Sequence, residues 1–311
     1  MTKRILIVDD LHPVFQQEAE KLGYTCELHE NLSHDEFLAL LPGFSGIAVR
    51  SRFNIDRNVM DTATQLRFIC RAGAGMDNID EIYAREKGIV CLNAPEGNAD
   101  AVGEHALGML LALMNNFRNG DRQIRNGLWD REANRGYELC GKTVAVIGYG
   151  NMGRSFCAKL AGFGVNILVY DKYKTGFSHD HVREASMEEV VKHADVLSLH
   201  IPLTIETRQL VNDEYLFHFR KPIFFINTAR GEVVNTQSVL NAIASGKILG
   251  AGLDVLEKEK YPALAEQPWY NHLITNEKVI LSPHVAGWTF DSYRRISEVL
   301  AEKLKNLDST T

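Results

Sequence analysis

Short apolar runs alternate with amphipathic stretches along almost the whole chain. The runs at 5–8, 46–49, 66–70, 90–92, 143–147, 167–170, 196–199, 223–227, 250–255 and 279–281 are rich in β-branched residues and lack apolar–polar alternation. A strand covered on both faces reads this way, because every side chain meets a core. Between them, residues 13–22, 154–162, 186–192, 212–217 and 236–245 carry apolar positions at helical spacing. The alternation predicts βαβ units and mostly parallel sheets, an α/β fold.

The rhythm breaks once. Residues 98–119 predict one long helix with an apolar face, followed by a loop-like stretch over 120–139 that contains Trp129. A turn-forming NAPEGN (93–98) precedes it, and the chain is expected to cross there from a first domain into a second. The helix is more apolar than one sheet face requires, which suggests a subunit interface, with ordinary core packing as the alternative. A helix over 290–307 ends the pattern and is the candidate to close the first domain from the far end.

Composition narrows the classes. At 311 residues the chain suits two domains, and 45% hydrophobic against 24% charged residues is globular composition. The 34 basic and 40 acidic side chains give a net charge of -6 without a basic run, so the footprint of a nonspecific nucleic-acid binder is missing. No uncharged apolar stretch is long enough to cross a bilayer, and the apolar run of MTKRILIVDD is too short for a signal peptide. Five scattered cysteines form no CxxC pair, and eleven histidines form no HExxH or His/Cys cluster. No metal site, no nucleic-acid or membrane partner, and a cytoplasmic protein are the expectations.

The strongest local motif is TVAVIGYGNMG (143–153), an apolar strand feeding Gly148, Gly150 and Gly153 in GxGxxG spacing. In a dinucleotide fold the first glycine makes the turn, the second admits the pyrophosphate and the third lets helix and strand pack. A second strand ends in Asp171, 18 residues past Gly153. A carboxylate there accepts from the adenosine ribose hydroxyls and repels a 2′-phosphate, favouring NAD, although Lys172 and Lys174 stand nearby.

Three later motifs end strands, where open α/β sheets place ligands. In NTARG (227–231), Arg230 suits bidentate binding of a substrate carboxylate. In GLDVLEKE (252–259), Asp254 ends the strand and Glu257 and Glu259 follow. In SPHVAGWT (282–289), His284 is placed for proton transfer if a carboxylate orients its ring. Trp288, four residues on, is a candidate wall of the substrate pocket. His200 ends a strand beside the cofactor crevice and reads as lining, and His105 on the long helix as packing or interfacial.

In this order RAGAGMDNID (71–80), GYGNMG, HIPLTIET (200–207), NTARG, GLDVLEKE and SPHVAG resemble the D-isomer-specific 2-hydroxyacid dehydrogenases over nearly the whole chain. The resemblance implies two Rossmann-like or flavodoxin-like parallel-sheet domains. A substrate domain of residues 1–96, completed by 286–311, would enclose an NAD-binding domain of residues 97–285. It implies catalysis by Arg230, Glu259 and His284, with the substrate in a cleft that a hinge closes. For NAD it implies the turn Gly148, Tyr149, Gly150, Asn151, Met152 and Gly153, with Asp171. It adds His200, Pro202, Thr207, Thr228, Ala229, Arg230, His284 and Gly287, and places Asp254 near the nicotinamide. It also implies a homodimer formed through the 98–119 helix region.

Within the family, VRSR (49–52) and Arg71 resemble the basic positions that 3-phosphoglycerate dehydrogenases turn to the substrate phosphate. Arg50, Ser51, Arg52, Arg71, Ala74, Gly75, Arg230, His284 and Trp288 are therefore the expected substrate residues, for D-3-phosphoglycerate and 3-phosphohydroxypyruvate. A glyoxylate/hydroxypyruvate reductase is the alternative, since Trp288 stands where 3-phosphoglycerate dehydrogenases more often carry a small hydroxyl residue, and a tryptophan there would narrow the pocket and shift preference to a different 2-hydroxy acid. A non-catalytic, corepressor-like NAD-binding protein is a further one.

Overall fold

In the computed structural model, which describes residues 3–309, the chain divides into two compact units. The first runs through Ala99 and resumes at Trp288; the second is Asp100–Gly287. Each holds one sheet whose strand pairs are all parallel. Among the described residues no helix is long and apolar enough to cross a membrane.

The first unit contains β1 (Arg4–Ile7), β2 (Thr25–Leu28), β3 (Gly46–Val49), β4 (Phe68–Arg71) and β5 (Val90–Asn93), in the order β2-β1-β3-β4-β5. Successive residues of a strand enter opposite cores. Leu6, Ile47 and Val49 meet Phe37 and Met60, whereas Ile5, Ile7 and Ala48 meet Phe15 together with Ile296, Leu300 and Leu304. The last three belong to the helix Phe290–Ser309, which thereby completes this unit's second core. The order reverses at β1, so the turns after β1 and β3 flank the point where open sheets of this kind hold ligands.

The second unit contains β6 (Thr143–Ile147), β7 (Asn166–Tyr170), β8 (Val182–Glu184), β9 (Val196–Leu199), β10 (Ile223–Asn227), β11 (Ile248–Leu253) and β12 (Val279–Leu281). Their order is β12-β11-β10-β9-β6-β7-β8, with the reversal at β6. Val144, Val146, Phe224 and Ile226 face one core, shared with Met109, Leu110, Leu113 and Phe156. Ala145, Ile147 and Phe225 face the other. Covered on both faces, these strands have no reason to alternate in polarity.

The long helix differs from the 98–119 expectation. It spans Pro95–Met114, Asn116 takes a left-handed φ of 53°, and a second helix runs Phe117–Arg125 into the stretch expected to be loop. Asparagine tolerates that conformation better than most residues, so the Asn115–Asn116 pair breaks the helix where apolar periodicity alone would carry it on.

Candidate active site

The turns after β6 and β9 abut at the reversal of the second sheet. Gly148 has φ 96°, and a Cβ on it would lie 2.4 Å from the His200 carbonyl oxygen. A Cβ on Gly153 would lie 2.0 Å from the Gly148 carbonyl oxygen, so the helix Asn151–Leu160 seats on β6 only with glycine there. Gly150 differs: nothing lies within 4 Å of its added Cβ, and the helix behind it begins without a side-chain cap. The fold does not require that glycine, and the bare helix N-terminus behind it is open to an anion such as a pyrophosphate. The side chain of Tyr149 turns away, stacked on Phe177 at 4.5 Å.

Asp171, after β7, accepts the Tyr149 N–H on Oδ2 (2.7 Å) and those of Tyr173 (2.9 Å) and Lys174 (3.0 Å) on Oδ1. Partial burial pushes its pKa up, but these backbone donors and the Lys174 charge outweigh it and hold the carboxyl below its usual range. Lys174 donates to the Tyr149 carbonyl (2.9 Å) and Lys172 to Glu206, so both lysines beside Asp171 are engaged. His200 is neutral, since burial lowers its pKa to about 3, and its Nε2 lies 2.9 Å from Ser198 Oγ. Its Nδ1, like Thr228 Oγ1 after β10, is buried without a hydrogen-bond partner among the described residues. Thr207 Oγ1 closes the following turn on the Pro202 carbonyl (2.8 Å). The open Gly150, the uncapped helix and these two orphaned atoms fit a dinucleotide.

At the ends of β10, β11 and β12 the three later motifs are shaped by hydrogen bonds, local in the first and long-range in the other two. Asn227 accepts the Ala229 N–H and donates to the Arg230 carbonyl, both at 3.0 Å, which fixes the turn carrying Arg230. The guanidinium returns Nη1 to the Ala229 carbonyl at 2.7 Å. Glu257, the other acid of the charged loop, is a scaffold group, accepting from Gln209 Nε2 (2.9 Å) and the Thr236 N–H (3.2 Å).

His284 has φ 55°, a left-handed conformation that costs a non-glycine residue about 1–3 kcal/mol. Asp254 holds it there. Its carbonyl accepts the His284 N–H (2.8 Å), and Oδ1 accepts Ser282 Oγ (2.5 Å) and the Val285 N–H (2.9 Å). Oδ2 accepts the Ala286 N–H (2.9 Å), and only 2% of Asp254 is exposed. The carboxylate is thus the clamp of the turn, a role beyond the expected neighbourhood of the nicotinamide. His105 joins this clamp, with Nε2 2.9 Å from Ser282 Oγ and 3.6 Å from Asp254 Oδ1, where packing or an interface was expected.

The ring of His284 points Nδ1 at Glu259 Oε2, 2.9 Å away. That hydrogen bond raises the histidine pKa; burial and the Arg230 charge act against it and lose. With Nδ1 engaged, Nε2 is the nitrogen left to exchange a proton with a ligand.

The residues expected at the substrate from the first unit follow β3 and β4. Asp9 Oδ2 accepts the N–H groups of Arg50 (2.6 Å) and Arg52 (3.2 Å), bracketing Ser51. Arg52 donates to the carbonyls of Val8 (3.4 Å) and Leu32 (3.1 Å), a scaffold role within its unit. Arg71 Nη1 turns back to the Ala72 carbonyl (3.5 Å), and the Ala74 carbonyl, beside half-buried Gly75, accepts from Asn93 (2.8 Å). Trp288 packs on Arg50 and on Tyr293. Asp9 and Tyr293 were not singled out in the sequence, Ser282 only as part of its motif, and His105 was expected to be packing or interfacial. Of the first two, only Asp9, at a strand end, carried a local signal.

Residues 107–286 match the family described as D-isomer specific 2-hydroxyacid dehydrogenase, NAD binding domain. The chain is similar to a hydroxypyruvate reductase of Thermotoga maritima, with 34% identity over 277 residues, 88% of either chain. It is also similar to a D-3-phosphoglycerate dehydrogenase of Methanocaldococcus jannaschii, with 34% identity over 98% of this chain; the chain spans 57% of that relative's length. A D-lactate dehydrogenase from Aquifex aeolicus, solved with NAD and lactic acid, superposes with a TM-score of 0.83 at 26% identity, covering 99% of this chain and 96% of that one.

Proposed function

The chain belongs to the D-isomer-specific 2-hydroxyacid dehydrogenases, NAD-dependent oxidoreductases, and from that premise we propose that it interconverts D-3-phosphoglycerate and 3-phosphohydroxypyruvate. Arg230 binds the carboxylate and steadies the C2 oxygen. When bound, NAD supplies the acceptor or donor of the hydride at C2. His284 Nε2 takes the hydroxyl proton in oxidation and returns it to the C2 oxygen in reduction, while Glu259 holds Nδ1–H and favours the charged ring. Asp254 keeps the histidine turn in place.

The observation that carries the choice of substrate is Arg50. Its side chain makes no hydrogen bond or ion pair among the described residues, unlike that of Arg52, and it sits at the reversal of the first sheet. A guanidinium so placed suits a second anion on the substrate. Reduction of hydroxypyruvate or glyoxylate is the second reading, favoured by the Thermotoga relative that matches over 88% of its length. A homodimer belongs to the same proposal.

NADH oxidation followed at 340 nm tests it, with 3-phosphohydroxypyruvate, hydroxypyruvate and glyoxylate compared by kcat/KM. We expect a preference of roughly a hundredfold, about 2.7 kcal/mol in transition-state binding, for the phosphorylated acid. Equal use of the unphosphorylated acids selects the second reading.

A further inference from the structure

Directly after the histidine turn the chain reads Trp288-Thr289-Phe290-Asp291-Ser292-Tyr293, and its local structure follows from that order. Thr289 caps the helix Phe290–Ser309: its Oγ1 accepts the Ser292 N–H (3.0 Å), while Ser292 Oγ accepts the Thr289 N–H (2.8 Å). This reciprocal pair is a capping box, and the residue before the cap then meets the fourth helical residue as a hydrophobic staple. Here those are Trp288 and Tyr293, edge to face at 5.4 Å and 86°. Tyr293 is tied down in turn, its hydroxyl donating to Asp10 Oδ1 at 2.5 Å. The indole is therefore fixed by three local devices of the first unit.

What the indole touches is Arg50. The guanidinium carbon lies 3.3 Å from the ring centroid. The backbone of Arg50 is held by Asp9, and burial lowers its pKa, with the charges of Asp9 and Asp10 opposing that shift. The cavity left beside the pair, lined by Asp10, Ala72 and Tyr293 among others, is only about 10 Å³. That is barely room for one water. Face and backbone are engaged while the N–H edge makes no hydrogen bond among the described residues. A planar donor fork stacked on an indole is pre-organised for an anion, whereas a free arginine must lose rotamer entropy to bind one.

We propose that Trp288 is the specificity-determining positioning residue of the substrate site, holding Arg50 edge-out toward the distal anion of the substrate. This rests on the reading of the substrate given above. It also reverses the expectation attached to a tryptophan at this position, which was to narrow the pocket against a larger acid.

The test compares kcat and KM for 3-phosphohydroxypyruvate and hydroxypyruvate in the wild type, Trp288→Ala, Trp288→Phe, Arg50→Ala and the double variant Arg50→Ala/Trp288→Ala. Trp288→Ala should lower the ratio of the two kcat/KM values about tenfold, with the change in the KM of the phosphorylated acid and not in kcat. Trp288→Phe, which keeps a stacking face, should recover most of the ratio. In the Arg50→Ala background, removing Trp288 should change the ratio no further. A wild-type enzyme without the phosphate preference overturns the substrate reading and this inference together. A wild-type preference that survives Trp288→Ala overturns the inference alone. So does an equal loss on both acids, or additivity in the double variant.

Discussion

Glu259 sets the protonation of His284 through one 2.9 Å hydrogen bond, the largest of the influences raising that pKa. With His284 as the proposed acid and base, reduction needs the ring protonated, so a raised pKa carries reductive activity to higher pH; oxidation needs it neutral and gains only above that pKa. Glu259→Gln removes the cause and should move both limbs to lower pH. The alkaline fall of reductive kcat/KM and the rise of oxidative kcat/KM should shift together, and pH profiles unchanged from the wild type would disprove the coupling. His284→Ala should cost roughly 10²–10⁴ in kcat in both directions. The motifs carrying Arg230, Glu259 and His284 are readable in the sequence because each is a compact string at a strand end. The positive φ of His284 and its clamp are not. Asp254 reaches its three partners across 28 to 32 residues, and His105 reaches Ser282 across 177, distances at which sequence spacing carries no geometry.

At the scale of elements, the β6–helix turn separates two uses of glycine that the GxGxxG string presents as alike. Gly153→Ala drives a methyl into the Gly148 carbonyl oxygen with or without cofactor. It should destabilise the fold by about 1–3 kcal/mol, lowering Tm in the absence of NAD. Gly150→Ala meets open space and should melt like the wild type while losing NAD affinity. Melting curves and NADH fluorescence titrations on both variants would separate the roles, and a Gly150→Ala protein that melts early would show that this glycine serves the fold. Core strands are readable here for a simple reason: both faces are buried, so each appears as an apolar run. The two strands absent from the sequence expectation, β2 and β8, are two of the four sheet edges; the other two, β5 and β12, still show as apolar runs. The sequences of β2 and β8, TCEL and VRE, are mostly half-buried or exposed, and a strand with one partner and little core need not leave an apolar run to find. The capping box and staple around Thr289 were legible in principle, but Trp288 was read for its nearness to His284.

For the whole molecule, the apolar helix that suggested a subunit interface divides into two problems. Its own side chains are accounted for: Met109, Leu110, Leu113 and Met114 lie in the second unit's core. The exposed apolar residues come just after it. Phe117, Ile124, Leu128, Trp129 and Tyr137 stand 62%, 51%, 52%, 78% and 51% exposed within one stretch of helix and loop. Single exposed apolar side chains need no explanation, but a run of large ones is the kind of surface that interaction sites use. If the chain forms the proposed homodimer, this stretch should carry the contact, because charged residues there would be desolvated against apolar ones. The double variant Phe117→Glu/Trp129→Glu should therefore run at the mass of one chain in light scattering, while the wild type runs at twice that mass. Its circular dichroism should remain that of the wild type, since neither side chain belongs to a core cluster. A folded double variant that still scatters as a dimer would move the interface elsewhere, and a monomeric wild type would leave these residues to a different partner.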